Sequence, residues 1–189
     1  MTAVLKEWED ARHTYRDYLE TDEDYRAEII DGRLYVMSLP SRYHQGILGK
    51  LFVKLALFLE GKPYHVYPAP FGVRLFPKSD LSDDTYFEPD ITVVCDSSKL
   101  DDRGCNGPPD MIVEIMSPSN RQNDMLVKFR KYLQAGVREY WIVDPEEKTV
   151  YACIFDDNRY QVSVYDETQT APVSVLPGCA VSLKDIFKD

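Results

Sequence analysis

Apolar positions recur at two spacings along this chain, every second residue in some stretches and every third or fourth in others, and the alternation lays out its elements. At 7–18, Trp8, Ala11, Tyr15 and Tyr18 fall at helical spacing between charged residues, which predicts a surface helix followed by a turn at the acidic 21–24. The next stretch, YRAEII-DG-RLYVM, reads as two strands around Asp31-Gly32, the dipeptide of a tight hairpin turn. Glu28 shares a strand face with Arg26 and Ile30 there, and reads first as a solvated charge, second as a site residue.

Pro40-Ser41 opens a long helix with Ser41 as cap, an apolar stripe of Ile47, Leu48, Leu51, Phe52, Leu55, Phe58 and Leu59, and a stop at Gly61 and Pro63. His44, in its first turn, reads first as a capping or surface histidine and second as a site residue. Strands are expected at 64–67 and 72–76, then a polar loop in which Asp80, Asp83 and Asp84 are solvated. Strands at 90–94 and 111–115 flank a second polar loop. A second helix is expected from Ser117-Pro118-Ser119, with Ser119 as cap, to Gly136. A strand at 139–143, a hairpin of 149–155 with 159–165, and a short strand with a helical turn at VSLKDIF complete the chain. No repeat or linker interrupts this order. It predicts an α/β protein with residues 1–24 packed as helix and turn on a single domain at 25–189.

Composition narrows this picture. At 189 residues and 44% hydrophobic content the chain can bury a core without staples. No apolar run approaches the roughly 20 residues of a membrane span, and the charged amino terminus is no secretory signal, so a cytoplasmic location is expected. Cys95, Cys105, Cys153 and Cys179 are scattered, which argues against a zinc site and for plain buried thiols without disulfides. A net charge of −10 counts against tight, non-specific nucleic-acid binding, yet leaves room for an acidic metal site.

Two acids stand where strand packing does not explain them. Asp90 opens an apolar strand, and Glu114 lies inside PDMIVEIM with apolar neighbours on both sides. A lone carboxylate in that setting costs several kcal/mol unless it is paired, protonated or bound to a cation. Mg²⁺ or Mn²⁺ suits such hard oxygens, and a buried ion pair is the rival reading. On the second helix, Met125, Leu126, Phe129, Tyr132 and Leu133 make the apolar stripe, and Lys131 lies opposite and solvated. Lys128 and Arg130 occupy the two borders, with Lys128 in line with Asp124 and Tyr132, and helix geometry alone does not choose between them.

The ordered series AEIIDG at 27–32, His44, EPD at 88–90, VEIMSPS at 113–119, Asp124-x-x-x-Lys128-x-x-x-Tyr132 and GVREYWIVDP at 136–145 resembles the PD-(D/E)XK nuclease superfamily and, within it, the Uma family of restriction endonucleases. The resemblance implies a restriction-endonuclease-like core, a mixed β-sheet flanked by helices with added β-hairpins, and the acids on adjacent central strands. Where the superfamily carries its lysine, two residues after the second acid, this chain has Met116; Lys128 is the lysine that matches the Uma pattern. The implied activity is Mg²⁺-dependent (or Mn²⁺-dependent) endonuclease cleavage of DNA by Asp90, Glu114 and Lys128. Asp90, Glu114 and the Ile115 carbonyl would hold the metal, Glu28, His44, Asp124 and Tyr132 would support it, and a homodimer would cut both strands. The alternative is a non-catalytic nucleic-acid- or protein-binding module that keeps the nuclease fold.

Overall fold

A computed structural model describes residues 11–20, 26–117, 123–156 and 159–188, with the backbone alone at 123–125. The expected cap at Ser119, the turn at 21–24 and Trp8 therefore lie outside the described residues. At the amino end, helix α1 (Tyr15–Leu19) is shorter than its periodicity predicts. Residues 11–14 are not helical, because Thr14 forms a capping box: its hydroxyl accepts from the Asp17 amide and its own amide donates to the Asp17 carboxylate.

Strands β1 (Ala27–Ile30) and β2 (Arg33–Val36) form the expected hairpin, with Asp31 at φ 51° and Gly32 at φ 77°, the conformation that Asp-Gly adopts most readily. All four residues of β1 are buried, however, because Ile29 pairs with Tyr86 on one edge and β2 covers the other. Glu28 is thus not a solvated charge. Helix α2 (Arg42–Leu59) begins at Ser41, whose hydroxyl accepts from the His44 amide, and buries Ile47, Leu48, Leu51, Leu55 and Leu59.

The central sheet has six strands in the order β11-β10-β9-β8-β5-β3: β3 (His65–Pro68), β5 (Ile91–Val94), β8 (Met111–Ile115), β9 (Glu139–Asp144), β10 (Thr149–Asp156) and β11 (Arg159–Asp166). Only β8 and β9 are parallel, and the helix between them, α3 (Asn123–Ala135), makes the crossover. Alternation along the strands divides the core. Ile91, Val93, Met111, Val113, Ile115, Trp141 and Val143 pack with α2 and with the C-terminal α4 (Leu183–Phe187). Val94, Ile112, Tyr140 and Ile142 pack on the other face with Tyr132 and Val137. Each fully buried Leu or Ile here contributes roughly 1.5–3 kcal/mol.

The segment read as a polar loop between β5 and β8 holds more structure than its composition shows. Strand β4 (Gly72–Arg74), shorter than expected, pairs in parallel with β7 (Gly104–Asn106), which folds back on β6 (Leu100–Asp101). Gly104 permits this at φ 146°, since a Cβ there would fall 2.1 Å from the Gly72 carbonyl oxygen. Asp83 is also not solvated: it is 1% exposed and ion-paired to Arg74 at 2.6 Å. The unforeseen β12 (Thr170–Pro172) pairs with β13 (Ala180–Ser182) under the α2 face. Among the described residues no helix is long and apolar enough to cross a membrane.

Candidate active site

The ends of β5 and β8 bring the two singled-out acids to one place. Asp90, just before β5, accepts a hydrogen bond from the Ile115 amide at 2.7 Å, which ties it across the strand pair to the residue after Glu114. Glu114 shares its face of β8 with Ile112 and Met116, and that face looks onto α3.

Helix α3 does not bury the stripe its apolar residues predict. Leu126 is 54% exposed, whereas Lys128 is 6% exposed and Tyr132 fully buried. The helix is turned so that the lysine, not the leucine, faces the sheet. Lys128 Nζ lies 2.9 Å from Glu28 Oε2, 3.0 Å from Glu28 Oε1 and 3.0 Å from Glu114 Oε1. One turn on, the Tyr132 hydroxyl donates to the same Glu114 oxygen at 2.8 Å, its ring held between Phe87 and Tyr140. Arg130, the rival at the other border, is exposed. Lys131, expected in solvent, is instead ion-paired with Asp31. Asp124 is on α3, but its side chain lies outside the described residues.

His44 comes from the opposite layer. Its Nε2 lies 3.2 Å from Asp90 Oδ2, and the Ile115 carbonyl is a further acceptor for the ring. It is therefore not merely a capping or surface histidine. Nδ1 is buried without a hydrogen-bond partner. Burial alone would depress the imidazole, but the Asp90 hydrogen bond and charge, the Ile115 carbonyl and Glu114 reverse this and hold it above its ordinary value.

Glu114 is held well above the ordinary carboxylate range. Burial pushes its carboxyl up to about 8; Lys128 opposes the rise, and the charges of Glu28 and Asp90 add to it. Burial first, then Glu114 and Glu28, keep the Tyr132 phenol firmly protonated, so it acts as a donor. Burial of an acid is not by itself the mark of this site. Glu139 is more deeply buried than Glu114, yet its two oxygens accept from the Trp141 indole at 2.7 Å and the Val175 amide at 2.9 Å, which makes it a structural acid.

Among the described residues, Asp90 Oδ1 and Glu114 Oε2 carry no hydrogen bond, and both side chains stay about 15% accessible (15% and 16%). No three His, Cys, Asp or Glu side chains close around one point among those residues. The donors are two carboxylates and the Ile115 carbonyl, a hard-oxygen set with open positions for water. This fits a Mg²⁺-like ion, which keeps several of its waters, and does not fit zinc.

The family profile described as "Uma2: Putative restriction endonuclease" matches residues 12–184. This chain belongs to the Uma2 family. A curated relative, "Uncharacterized protein slr1290" of Synechocystis sp. (strain ATCC 27184 / PCC 6803 / Kazusa), is 27% identical over 118 residues, 61% of this chain and 60% of the relative, so the match spans well under two thirds of that protein. Among solved structures, "a putative nuclease belonging to DUF820" from Anabaena variabilis ATCC 29413 superposes with a TM-score of 0.74 at 22% identity, covering 93% of this chain and 97% of the other. At that identity the likeness establishes a shared fold, a mixed sheet flanked by helices as the sequence predicts. Within the EPD segment that this Uma2 chain carries, Glu88 was left without a role by sequence reasoning. It is 5% exposed and holds Arg26, Tyr18 and Tyr86 through hydrogen bonds of 2.7, 3.0 and 3.2 Å. Tyr86 is two residues away, but Arg26 and Tyr18 come from segments 62 and 70 residues distant, which local sequence cannot announce.

Proposed function

We propose that this chain is a Mg²⁺- or Mn²⁺-dependent endonuclease that hydrolyses phosphodiester bonds in DNA. The observation that carries this reading is the convergence of Asp90, Glu114 and the Lys128 ammonium at one end of the central strands, with both acid side chains still partly accessible. Asp90, Glu114 and the Ile115 carbonyl would hold the cation, which, once bound, supplies positive charge to a phosphodiester and acidifies a water. The chain's own groups do the rest. Glu28 fixes the Lys128 side chain, so its ammonium meets the charge that builds on the phosphoryl oxygens without reorganising. Tyr132 fixes the rotamer of Glu114 by donating to one oxygen and leaving the other without a hydrogen bond among the described residues. His44 anchors Asp90 from the α2 side. Lys128 thus serves from α3 the role that a strand lysine at Met116 would otherwise fill. The same charges favour a second reading, a binding module, because Lys128 and His44 already partner both acids and the net charge is −10.

Plasmid DNA incubated with Mg²⁺ or Mn²⁺ separates the two. Wild type is expected to nick and linearise it, and Asp90→Asn to be slower by on the order of 10²–10³-fold. Calorimetric Mn²⁺ binding should vanish in the same variant. Cleavage that persists unchanged in Asp90→Asn, or none with either metal, overturns the nuclease reading.

Cutting both strands calls for two sites, and we place the second copy against β11. That outermost strand pairs with β10 without a bulge over eight residues, has no Pro or Lys, and exposes Tyr160, Val162 and Val164 on one face. Antiparallel pairing about Val162 sets Tyr160 against Val164 of the copy and brings each Arg159 end to an Asp166 end. Wild type is expected to elute as a dimer in light scattering and Val162→Lys as a monomer; a monomeric wild type removes this interface. The free, mostly buried thiols accord with a cytoplasmic setting for this enzyme.

A further inference from the structure

A cavity of about 380 Å³ opens on the same face of the sheet as Glu114, towards the β3 edge. The β3–β5 register sets Tyr67 opposite Thr92, which points to the α3 side as Ile112 and Glu114 do. The walls are flat. Tyr67 and Phe71 stack on each other, with ring centroids 4.2 Å apart and planes within 3° of parallel, and the Tyr86 ring lies so close over Gly72 that a Cβ there would meet its hydroxyl at 2.7 Å. The floor is bare backbone where Gly72 pairs with Gly104. At the inner end sits Glu88, its Oε1 shared by the Tyr18 and Tyr86 hydroxyls and its Oε2 taken by Arg26 alone. Burial, and then the Glu88 charge, push the Tyr18 phenol up to about 12, so it acts as a donor to Glu88, which also holds the Arg26 guanidinium at 2.7 Å.

The slot's charge says what it admits. Glu88, Asp101 and Asp102 line it against Arg103, which disfavours a phosphate and favours a neutral ring that offers an amine. The Tyr67–Phe71 pair leaves no room between its own rings, so a planar heterocycle would stack on the side of the pair that lines the cavity, and a carboxylate acceptor suits the exocyclic amine of cytosine or adenine. Glu88 is also only two residues, about 7 Å of extended chain, from Asp90. The Asp90 carbonyl accepts from the Ala69 amide at 2.9 Å, which locks the slot's rim to the acid cluster.

We propose that this slot takes an unpaired, amine-bearing nucleobase of the strand whose phosphodiester lies at Asp90 and Glu114. The substrate is then single-stranded or splayed nucleic acid, since a base stacked in a duplex cannot reach such a slot. This rests on the nuclease reading, and the two fail separately.

The probes are free cytidine and thymidine, followed by ligand-observed saturation-transfer NMR with the full chain, first wild type, then Phe71→Leu and Tyr67→Leu, which keep apolar volume and remove a ring. Cytidine base protons are expected to receive saturation, with thymidine weaker by about fivefold or more, and each variant to lose about fivefold or more of the cytidine signal, the low end of base–aromatic stacking. Thermal melts of the variants show that the loss is not unfolding. No transfer to wild type, equal transfer from both nucleosides, or an unchanged signal in both folded variants overturns the slot. Cytidine binding by a chain that cuts no DNA keeps the slot and removes the nuclease; cleavage without nucleoside contact does the reverse.

Discussion

Lys128→Met is expected to lower stability by about 3–5 kcal/mol near neutral pH, the cost of leaving buried acids without their counter-charge, and to abolish cleavage. Lys128 is 6% exposed and its ammonium lies within 3.0 Å of oxygens on both Glu28 and Glu114, so no water replaces it without opening the α3–sheet contact. Methionine fills the volume, leaving charge as the main change. The double variant Lys128→Met/Glu28→Gln distinguishes structure from chemistry: with one acid neutralised, much of the stability should return, while cleavage should not. Urea unfolding and the plasmid assay measure the two. A Lys128→Met protein within about 1 kcal/mol of wild type would mean that the ion network is not what holds α3 in its orientation, since that is the range of a surface pair.

That orientation shows what the sequence could and could not tell. Elements whose cause is local were legible: the Asp31-Gly32 turn, the Ser41 cap, the β10–β11 hairpin and the β8 run all follow from residues within a few positions of one another. Periodicity placed Leu126 in the core and Lys128 on its border because it weighs only hydrophobicity. It cannot see two carboxylates, 14 and 100 residues away, that are costlier to leave unpaired than Leu126 is to expose. Glu28 was misread for the same reason, since the segment that buries it carries Tyr86, far along the chain. The strands β6 and β7 escaped notice because they are short and polar, and gain their register from β4 instead of from alternation. The acids themselves were visible as chemical misfits in apolar strands, although Glu139, an equal misfit, proved to be a structural acid.

Glu114→Gln should remove activity and yet stabilise the protein, increasingly so as the pH rises. The folded-state pKa of Glu114 is raised from about 4.5 to about 8, so its contribution to stability is complete below the lower value and lost progressively as pH climbs through the upper one. Glutamine is spared that loss. The variant also leaves Lys128 with Glu28, one ammonium for one carboxylate, and keeps an amide oxygen for the Tyr132 hydroxyl. Its advantage over wild type, in metal-free urea unfolding, should be near zero at about pH 5 and reach on the order of 3 kcal/mol at about pH 9. Cleavage and Mn²⁺ binding should both fall by on the order of 10²-fold or more, because a neutral amide is a poor ligand for a hard cation. A variant less stable than wild type at high pH would show that Glu114 is a net stabilising ion-pair partner of Lys128, and the case for a strained acid kept for function would end there. A gain in stability with activity intact would instead move the metal-holding role to Asp90 and its neighbours. The trade expected here, stability surrendered to keep an ionisable carboxylate among buried groups, is what a site built for a cation requires and what a structural ion pair does not.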